Sequence, residues 1–373
     1  MAGIYIHIPY CKQACNYCDF HFSTQKNSME EMQQAMLKEL EMRKAFLGKD
    51  PVETIYFGGG SPSLLPKTYL EAFLNSIEKM APGTAEREVT LEANPDDMDL
   101  ETLMDWRSIG INRLSVGIQS FHDQDLKWMN RAHNADEAKL CIKRAKQAGF
   151  ENISIDLIYG IPDQDMNTWK ENVQLAIASH IQHISAYCLT IEKNTVFGNW
   201  KAHNKLSEAP DEKVEEEFLF LRNQLSDSGF EHYEISNFAK AGSISKHNSA
   251  YWKGSNYMGI GPSAHSFDGK QRLWNVRNNP QYIRSLGLNE LAIEAEVLSE
   301  KDRFNEVVLT GLRTIWGVDL DHLQEEFGVD LLEKEKKVIY QFKEELRIED
   351  QHLKLKKKGL LLADRIASDL FWV

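Results

Sequence analysis

Short apolar runs alternate with longer amphipathic segments through the first half of the chain, and this alternation constrains the fold most. The runs are rich in Ile, Val, Leu, Tyr and Phe, as buried strands are. They occupy residues 3–9, 53–59, 87–94, 111–118, 153–160 and 183–190. Amphipathic segments fall between them at 28–47, 66–80, 99–109, 134–148 and 166–179. Strands that alternate with helices predict parallel βαβ units.

Six such units are too few for an eight-stranded barrel. We therefore expect an α/β fold built on a partial (β/α)6 barrel of TIM-like type. Asp99 precedes the third helix as an N-cap, and Gly149 follows a later helix as its C-terminal stop. Because parallel sheets bind ligands at the carboxyl ends of their strands, the residues that follow each strand are the first functional candidates.

The pattern changes after about residue 195. A charged helical stretch at 211–230 leads into a region rich in Gly, Ser and Asn. The last portion is typical of helices followed by a hairpin, which indicates a winged-helix-like unit. We divide the chain into a barrel (1–210), an α/β extension (211–297) and a small C-terminal domain (298–373).

Composition limits the function classes. The formal net charge of −13 over 373 residues disfavours a nucleic-acid binder, since phosphate contacts need an excess of Lys and Arg. The short basic run at 354–358 is interpreted as a solvated strand face. There is no apolar stretch of about 18 residues and no signal-peptide pattern, so we expect a cytoplasmic protein without membrane spans.

Three of the five cysteines are crowded into "CKQACNYC", as Cys11, Cys15 and Cys18. Zinc normally takes four protein ligands, and His21 is the neighbouring candidate for a fourth. A four-iron cluster on three thiolates would leave one iron free for a small molecule. Both interpretations stay open at this point. The isolated Cys141 and Cys188 are expected to be small buried residues.

The spacing CxxxCxxC resembles the signature of the radical S-adenosylmethionine (SAM) superfamily. Further motifs follow in the order found in that superfamily. They are "YFGGGSPS" (56–63), "LEANPDD" (91–97), "SVGIQSF" (115–121), "NRAH" (130–133) and "IDLIYGIP" (155–162).

The resemblance implies a 4Fe–4S cluster on the three cysteines, with SAM bound to its open iron. It also implies which residues contact SAM, by motif position. They are Tyr5, Tyr17, Gly59, Gly60, Ser61, Glu92, Gln119, Arg131 and Asp156. No residue is assigned a catalytic role.

Within the superfamily, the chain most resembles the oxygen-independent coproporphyrinogen III dehydrogenase group. The dehydrogenases carry a further cysteine two residues after the third, where this chain has Phe20. This departure weakens the interpretation as a dehydrogenase, and we do not expect that activity. Were the chain an enzyme, it would be a radical SAM oxidoreductase.

The stretch "HNSAYW" (247–252) resembles the HNxxYW motif of a sister group, the HemW heme chaperones. The resemblance implies heme binding through His247, Asn248, Tyr251 and Trp252. Imidazole is a common axial ligand of heme iron, and aromatic rings offer flat surface to a porphyrin. His265 is a rival ligand.

The leading hypothesis is therefore a heme chaperone that delivers heme to respiratory-chain hemoproteins, including membrane-bound ones. It would retain a 4Fe–4S cluster and bind SAM. The alternative is a coproporphyrinogen III dehydrogenase that performs oxidative decarboxylation in heme biosynthesis. A structural zinc protein is the third hypothesis. The sequence does not define the oligomeric state and leaves a homodimer open.

Overall fold

The computed structural model describes residues 2–48, 50–81, 84 and 86–373. The strands are β1 (Ala2–Ile8), β2 (Val52–Gly59), β3 (Glu88–Ala93), β4 (Arg113–Gln119), β5 (Asn152–Tyr159), β6 (His183–Cys188), β7 (Glu231–Glu234), β8 (Asn237–Ala239), β9 (Asn256–Ile260), β10 (His265–Phe267), β11 (Gln271–Asn275), β12 (Ile293–Val297), β13 (Val318–Asp319), β14 (Leu346–Glu349) and β15 (His352–Leu355).

The α-helices are α1 (Met29–Met42), α2 (Lys67–Met80), α3 (Leu100–Ser108), α4 (Asp123–Trp128), α5 (Ala135–Gln147), α6 (Met166–Ala178), α7 (Val196–Ala202), α8 (Asp211–Asp227), α9 (Lys246–Trp252), α10 (Asn279–Gly287), α11 (Glu300–Leu312), α12 (Leu320–Phe327), α13 (Leu331–Lys334), α14 (Lys336–Gln341) and α15 (Ala363–Asp369). Short 3-10 helices occur at Pro62–Leu64, Pro95–Asp97 and Lys357–Leu362.

Strands β1 to β6 are parallel neighbours in chain order, and α1, α2, α3, α5 and α6 lie in the connections between them. This confirms the partial (β/α)6 barrel. The predicted N-cap at Asp99 and the predicted helix stop at Gly149 are also confirmed. The Asp99 carboxylate accepts a hydrogen bond from the Thr102 backbone N–H at 2.9 Å, and Gly149 has a φ of +87°. Apolar residues of strands and helices pack into one large core, because both elements bury an apolar face there.

The sheet continues beyond both ends of the barrel. β9 pairs with β1 in parallel, and β10, β11 and β12 follow in antiparallel pairs. At the other end β8 and β7 extend β6 in antiparallel pairs. The result is a twelve-stranded sheet. The region at 211–297 therefore adds strands to both edges of the same sheet.

The C-terminal region has its own small sheet, in the order β13–β15–β14, and its own apolar core. Helices followed by the β14–β15 hairpin agree with the winged-helix-like expectation. The unit contacts β7 and β11, two of the strands that extend the barrel sheet. The Ile315 N–H donates to the Tyr233 carbonyl at 3.0 Å, and Arg272 pairs with Glu306 at 2.6 Å.

No helix in the described residues is both long enough and apolar enough to span a membrane.

Candidate functional site

The cysteine loop leaves β1 and is joined by hydrogen bonds to the end of α4 and to the segment that follows it. The Gln13 side-chain amide donates to the Asn130 carbonyl at 3.0 Å, and the Asn16 amide donates to the Trp128 carbonyl at 2.7 Å. In return, the Asn130 amide donates to the Ala14 carbonyl at 2.7 Å. These hydrogen bonds fix the cysteine loop against the barrel next to α4.

Cys11, Cys15 and Cys18 line one cavity of about 470 Å³. The register pairs Ile8 with Gly59 and Ala93 with Val116, so the cavity lies at the carboxyl ends of the barrel strands. Burial raises the pKa of the Cys11 and Cys18 thiols to about 11. Thiols in such a place ionise when a metal centre supplies positive charge.

The donor set fits a cluster better than a single zinc ion. The His21 Nε2 donates to the Asn279 Oδ1 at 2.7 Å, so the candidate fourth zinc ligand is engaged elsewhere. In a four-iron cluster each thiolate binds a different iron, so three thiolates leave one iron without a protein ligand.

The glycine motif brings the end of β2 close to the end of β1. Gly59 has a φ of +105°, and a methyl group on it would lie 2.5 Å from the His7 Nδ1. A methyl group on Gly60 would lie 2.5 Å from the Tyr10 carbonyl oxygen. Ser61 accepts a hydrogen bond from the Asn94 amide at 2.8 Å. Only glycine fits these close approaches, which form one wall of the cavity.

Two carboxyl groups line the same cavity. Glu92 accepts from the Tyr56 hydroxyl at 2.8 Å and from the Gly59 N–H at 3.1 Å. The hydroxyls of Ser185 and Ser115 lie near the Asp156 carboxylate and favour its charged form. Burial raises the pKa of Glu92 to about 7 and the pKa of Asp156 to about 6. Both groups therefore suit a ligand that carries a cationic amine or hydroxyl donors.

Arg131 is the cationic group of the cavity. Its Nη1 lies 3.3 Å from the Cys15 sulfur, and its Nη2 donates to the Asn94 Oδ1 at 2.7 Å and to the Gly117 carbonyl at 2.9 Å. Its Nε is buried without a partner among the described residues. Because a buried donor usually has an acceptor, this guanidinium suits an anionic ligand.

Tyr17 and Gln119 complete the predicted set in this cavity. The Tyr17 hydroxyl lies 3.4 Å from the Arg131 Nη1. Gln119 has a φ of +65° at the end of β4. Non-glycine residues with positive φ concentrate at functional sites, where the surrounding structure sustains the strain.

Tyr5 does not line this cavity. It lines a second cavity of about 390 Å³, where its hydroxyl lies 3.1 Å from the His7 Nδ1. Asp19 and Phe20 line both cavities and separate them. The second cavity is lined by Tyr5, His7, Asp19, Phe20, His21, Tyr251, Tyr257, Ser263, His265 and Arg277.

The HNxxYW stretch forms α9, which packs on β1 and β2. His247 is 2 % exposed, its Nδ1 lies 2.8 Å from the Thr54 hydroxyl, and its ring stacks on Tyr56 at 4.8 Å. Burial lowers the pKa of His247 to about 3. His247 lines neither cavity, and the same is true of Asn248 and Trp252.

Tyr251 is therefore the member of this motif that reaches a cavity. Trp252 instead lies under the Arg313 guanidinium of the C-terminal unit, at 5.7 Å. Sequence reasoning missed His7 and Arg277, and it considered His21 only as a zinc ligand. The available signal was the alternation of β1, which places His7 on the same face as Tyr5.

The expectation for the two isolated cysteines is half right. Cys141 is buried, as expected. Cys188 is exposed and lines the first cavity at the end of β6, so its interpretation as a buried residue was wrong.

Solved structures and family models identify the class. The structure of coproporphyrinogen III oxidase (HemN) from Escherichia coli matches with a TM-score of 0.86, covering 99% of this chain and 90% of that one, at 20% identity. At this identity the match shows the fold alone. The Radical SAM superfamily model matches residues 5–176, and the HemN C-terminal domain model matches residues 298–362. Fold and motif together define a radical SAM protein.

Curated relatives narrow the class. The heme chaperone HemW of Bacillus subtilis is 34% identical, over 89% of this chain and 88% of the relative. HemW of Escherichia coli is 36% identical over 70% of this chain and 69% of the relative. The mitochondrial radical S-adenosyl methionine domain-containing protein 1 of Bos taurus is 31% identical over 87% of this chain and 76% of the relative. The chain belongs to the HemW heme chaperone family.

Proposed function

We propose that this protein binds heme and delivers it to hemoproteins of the respiratory chain. The observation that carries the proposal is the similarity to proteins named heme chaperones, which extends over 89% of the chain. Phe20, at the position where the dehydrogenases have a fourth cysteine, also favours the chaperone over the dehydrogenase. We propose that the protein functions in the cytoplasm, where the thiols of the cysteine loop stay reduced.

The proposal includes a 4Fe–4S cluster held by Cys11, Cys15 and Cys18. When bound, such a cluster supplies an iron with an open coordination position. The chain contributes the anchored loop and a cavity wall that keeps the thiols from bulk water. The Arg131 guanidinium, 3.3 Å from the Cys15 sulfur, stabilises negative charge on that sulfur.

The same cavity is proposed to hold SAM. Arg131 suits its carboxylate, and Glu92 and Asp156 suit its amine and ribose hydroxyls. Gly59, Gly60 and Ser61 allow a close approach to backbone polar groups, and Tyr17 and Gln119 line the remaining wall. Tyr5 does not line this cavity but lies next to the Glu92 carboxylate, so its effect on SAM would be through Glu92.

In this proposal Tyr251 is the residue of the HNxxYW motif that contacts heme, and the packing of α9 on the barrel positions Tyr251. Direct ligation by His247 would require its ring to leave Thr54 and Tyr56. Asn248 and Trp252 hold α9 in place; the Asn248 N–H donates to the Ser245 hydroxyl at 3.3 Å.

Anaerobic reconstitution followed by hemin titration tests the proposal. We expect a Soret band that saturates at one heme per chain. Coproporphyrinogen III incubated with SAM and reductant should remain unconverted in parallel. Conversion of coproporphyrinogen III together with an unchanged hemin spectrum would contradict the chaperone function and favour the dehydrogenase alternative.

A further inference from the structure

We propose that the second cavity is the heme site, with His265 as the ligand to the iron and Arg277 as the partner of a heme carboxylate. This inference rests on the proposed function and adds a location for the cargo. The cavity has a volume of about 390 Å³, within the range of about 300–1,000 Å³ typical of small-molecule sites.

The walls of this cavity are aromatic. Tyr5, Tyr251 and Tyr257 lie on its inner side, and the rings of Tyr251 and Tyr257 are 4.3 Å apart. Phe20, which lies at the wall shared with the cluster cavity, is 71 % exposed. An exposed phenylalanine beside a cavity gains free energy when a flat apolar ligand covers it. A porphyrin has the required flat apolar faces.

Three imidazoles line the cavity, and two of them are already engaged. The His7 Nε2 donates to the His21 carbonyl at 2.9 Å, and its Nδ1 lies 3.1 Å from the Tyr5 hydroxyl. The His21 Nε2 donates to the Asn279 Oδ1 at 2.7 Å. His265 differs from both: it is exposed, its ring makes no hydrogen bond within the described residues, and it lies 6.2 Å from the Trp274 ring between centroids.

His265 lines the cavity directly, so its imidazole can meet a ligand there without displacing neighbouring rings. The buried His247, by contrast, would have to cross Tyr5 or Tyr251 to reach this cavity, because those rings lie between them.

Arg277 supplies the charge that a heme carboxylate needs. It is exposed at the cavity and pairs with Asp19, with 3.8 Å between the Nη2 and the carboxylate. It also donates to the Asp19 carbonyl. A guanidinium has five N–H donors, and one ion pair does not use all of them. The exposed Arg277 can therefore also bind a second carboxylate.

Hemin titrations of His265→Ala and Arg277→Gln test the site, with His322→Ala as the matched control on an exposed histidine of the C-terminal unit. We expect His265→Ala to weaken heme affinity at least about tenfold, since even outer-shell partners of metal ligands are worth that much. Its Soret position should also shift, because the iron loses a nitrogen ligand. His322→Ala should match the unaltered protein.

Heme dimethyl ester, which lacks the carboxylates, separates the role of Arg277. Arg277→Gln should weaken heme about tenfold, the loss expected for a charge-assisted hydrogen bond, and leave binding of the ester unchanged. An equal effect on both ligands would remove Arg277 from the site.

The outcomes distinguish this inference from the proposed function. If the unaltered chain binds heme and both variants bind it with the same affinity and spectrum, the second cavity is not the site, and the chaperone function stands. If the unaltered chain does not bind heme at all, both fall. His265→Gln provides a second variant should the alanine variant misfold.

Discussion

At the scale of single residues, the imidazole of His247 is held by the barrel wall between Thr54 and Tyr56. Its environment excludes charge, because burial and the nearby Arg113 both disfavour the imidazolium. A motif that marks heme chaperones thus contributes a residue whose observed contacts are those of a core histidine.

This burial predicts an acid sensitivity. The folded state lowers the pKa of His247 to about 3 from an ordinary value of 6.5. Between these values the unfolded chain binds the extra proton, so the free energy of unfolding falls as the pH drops. His247→Gln should flatten this part of the curve relative to wild type in urea unfolding at pH 7, 6 and 5. Parallel curves for the two proteins would contradict the burial.

His322→Ala is the control for that comparison. His322 is exposed on the C-terminal unit, so this variant controls for the loss of a histidine as such. His7 and His183 are buried with lowered pKa values too, and their contribution is common to all three proteins.

A matched glycine pair tests the close approach at the cavity. Gly59 and Gly110 have φ values of +105° and +100°, but a methyl group at Gly110 would meet nothing within 4 Å. Both Ala variants should lose about 1–2 kcal/mol to backbone strain. Gly59→Ala should lose more, because it also meets the His7 ring, and should bind SAM more weakly. Equal unfolding free energies in urea titrations would contradict the packing at Gly59.

At the scale of elements, the cysteine loop and α9 differ in how they are fixed. The loop is anchored by side-chain amides to the chain after α4, whereas α9 is capped by Glu88. The Glu88 carboxylate accepts from the backbone N–H groups of Lys246 and His247 at 3.1 and 3.0 Å.

The anchored loop predicts that a cysteine can be removed without loss of fold. Cys15→Ser should abolish iron and sulfide binding after anaerobic reconstitution while its unfolding curve stays close to wild type. Cys188→Ser is the matched control, since this thiol lines the same cavity outside the motif. It should keep the full cluster content. A cluster retained in Cys15→Ser, or lost in Cys188→Ser, would contradict the assigned ligand set.

The sequence predicts β1 to β6 because their residues are apolar on both faces, as buried parallel strands require. It misses β7 to β12, which are short; β10 has three residues, and four of the five residues of β12 are exposed. The cysteine spacing predicts the first cavity. The second cavity depends on residues far apart in the chain, such as His7, His265 and Arg277, which only the added strands bring together.

At the scale of the whole molecule, α9 joins the barrel to the C-terminal unit. Trp252 lies under Arg313, and the next residue, Lys253, lies over the ring of Trp316 at 4.4 Å. The same helix presents Tyr251 to the second cavity. One short helix therefore contacts the proposed heme site and the terminal unit, which places the cargo next to the surface where the two parts meet.

Heme transfer is the measurement that tests the central claim most directly. The heme-loaded protein, freed of excess hemin, is mixed with the apo form of a b-type hemoprotein, and the two are separated by size. A chaperone should lose its Soret band as the acceptor gains one and becomes active. Heme that stays on this chain, or an acceptor that gains no more than it does from heme-loaded albumin, would contradict delivery.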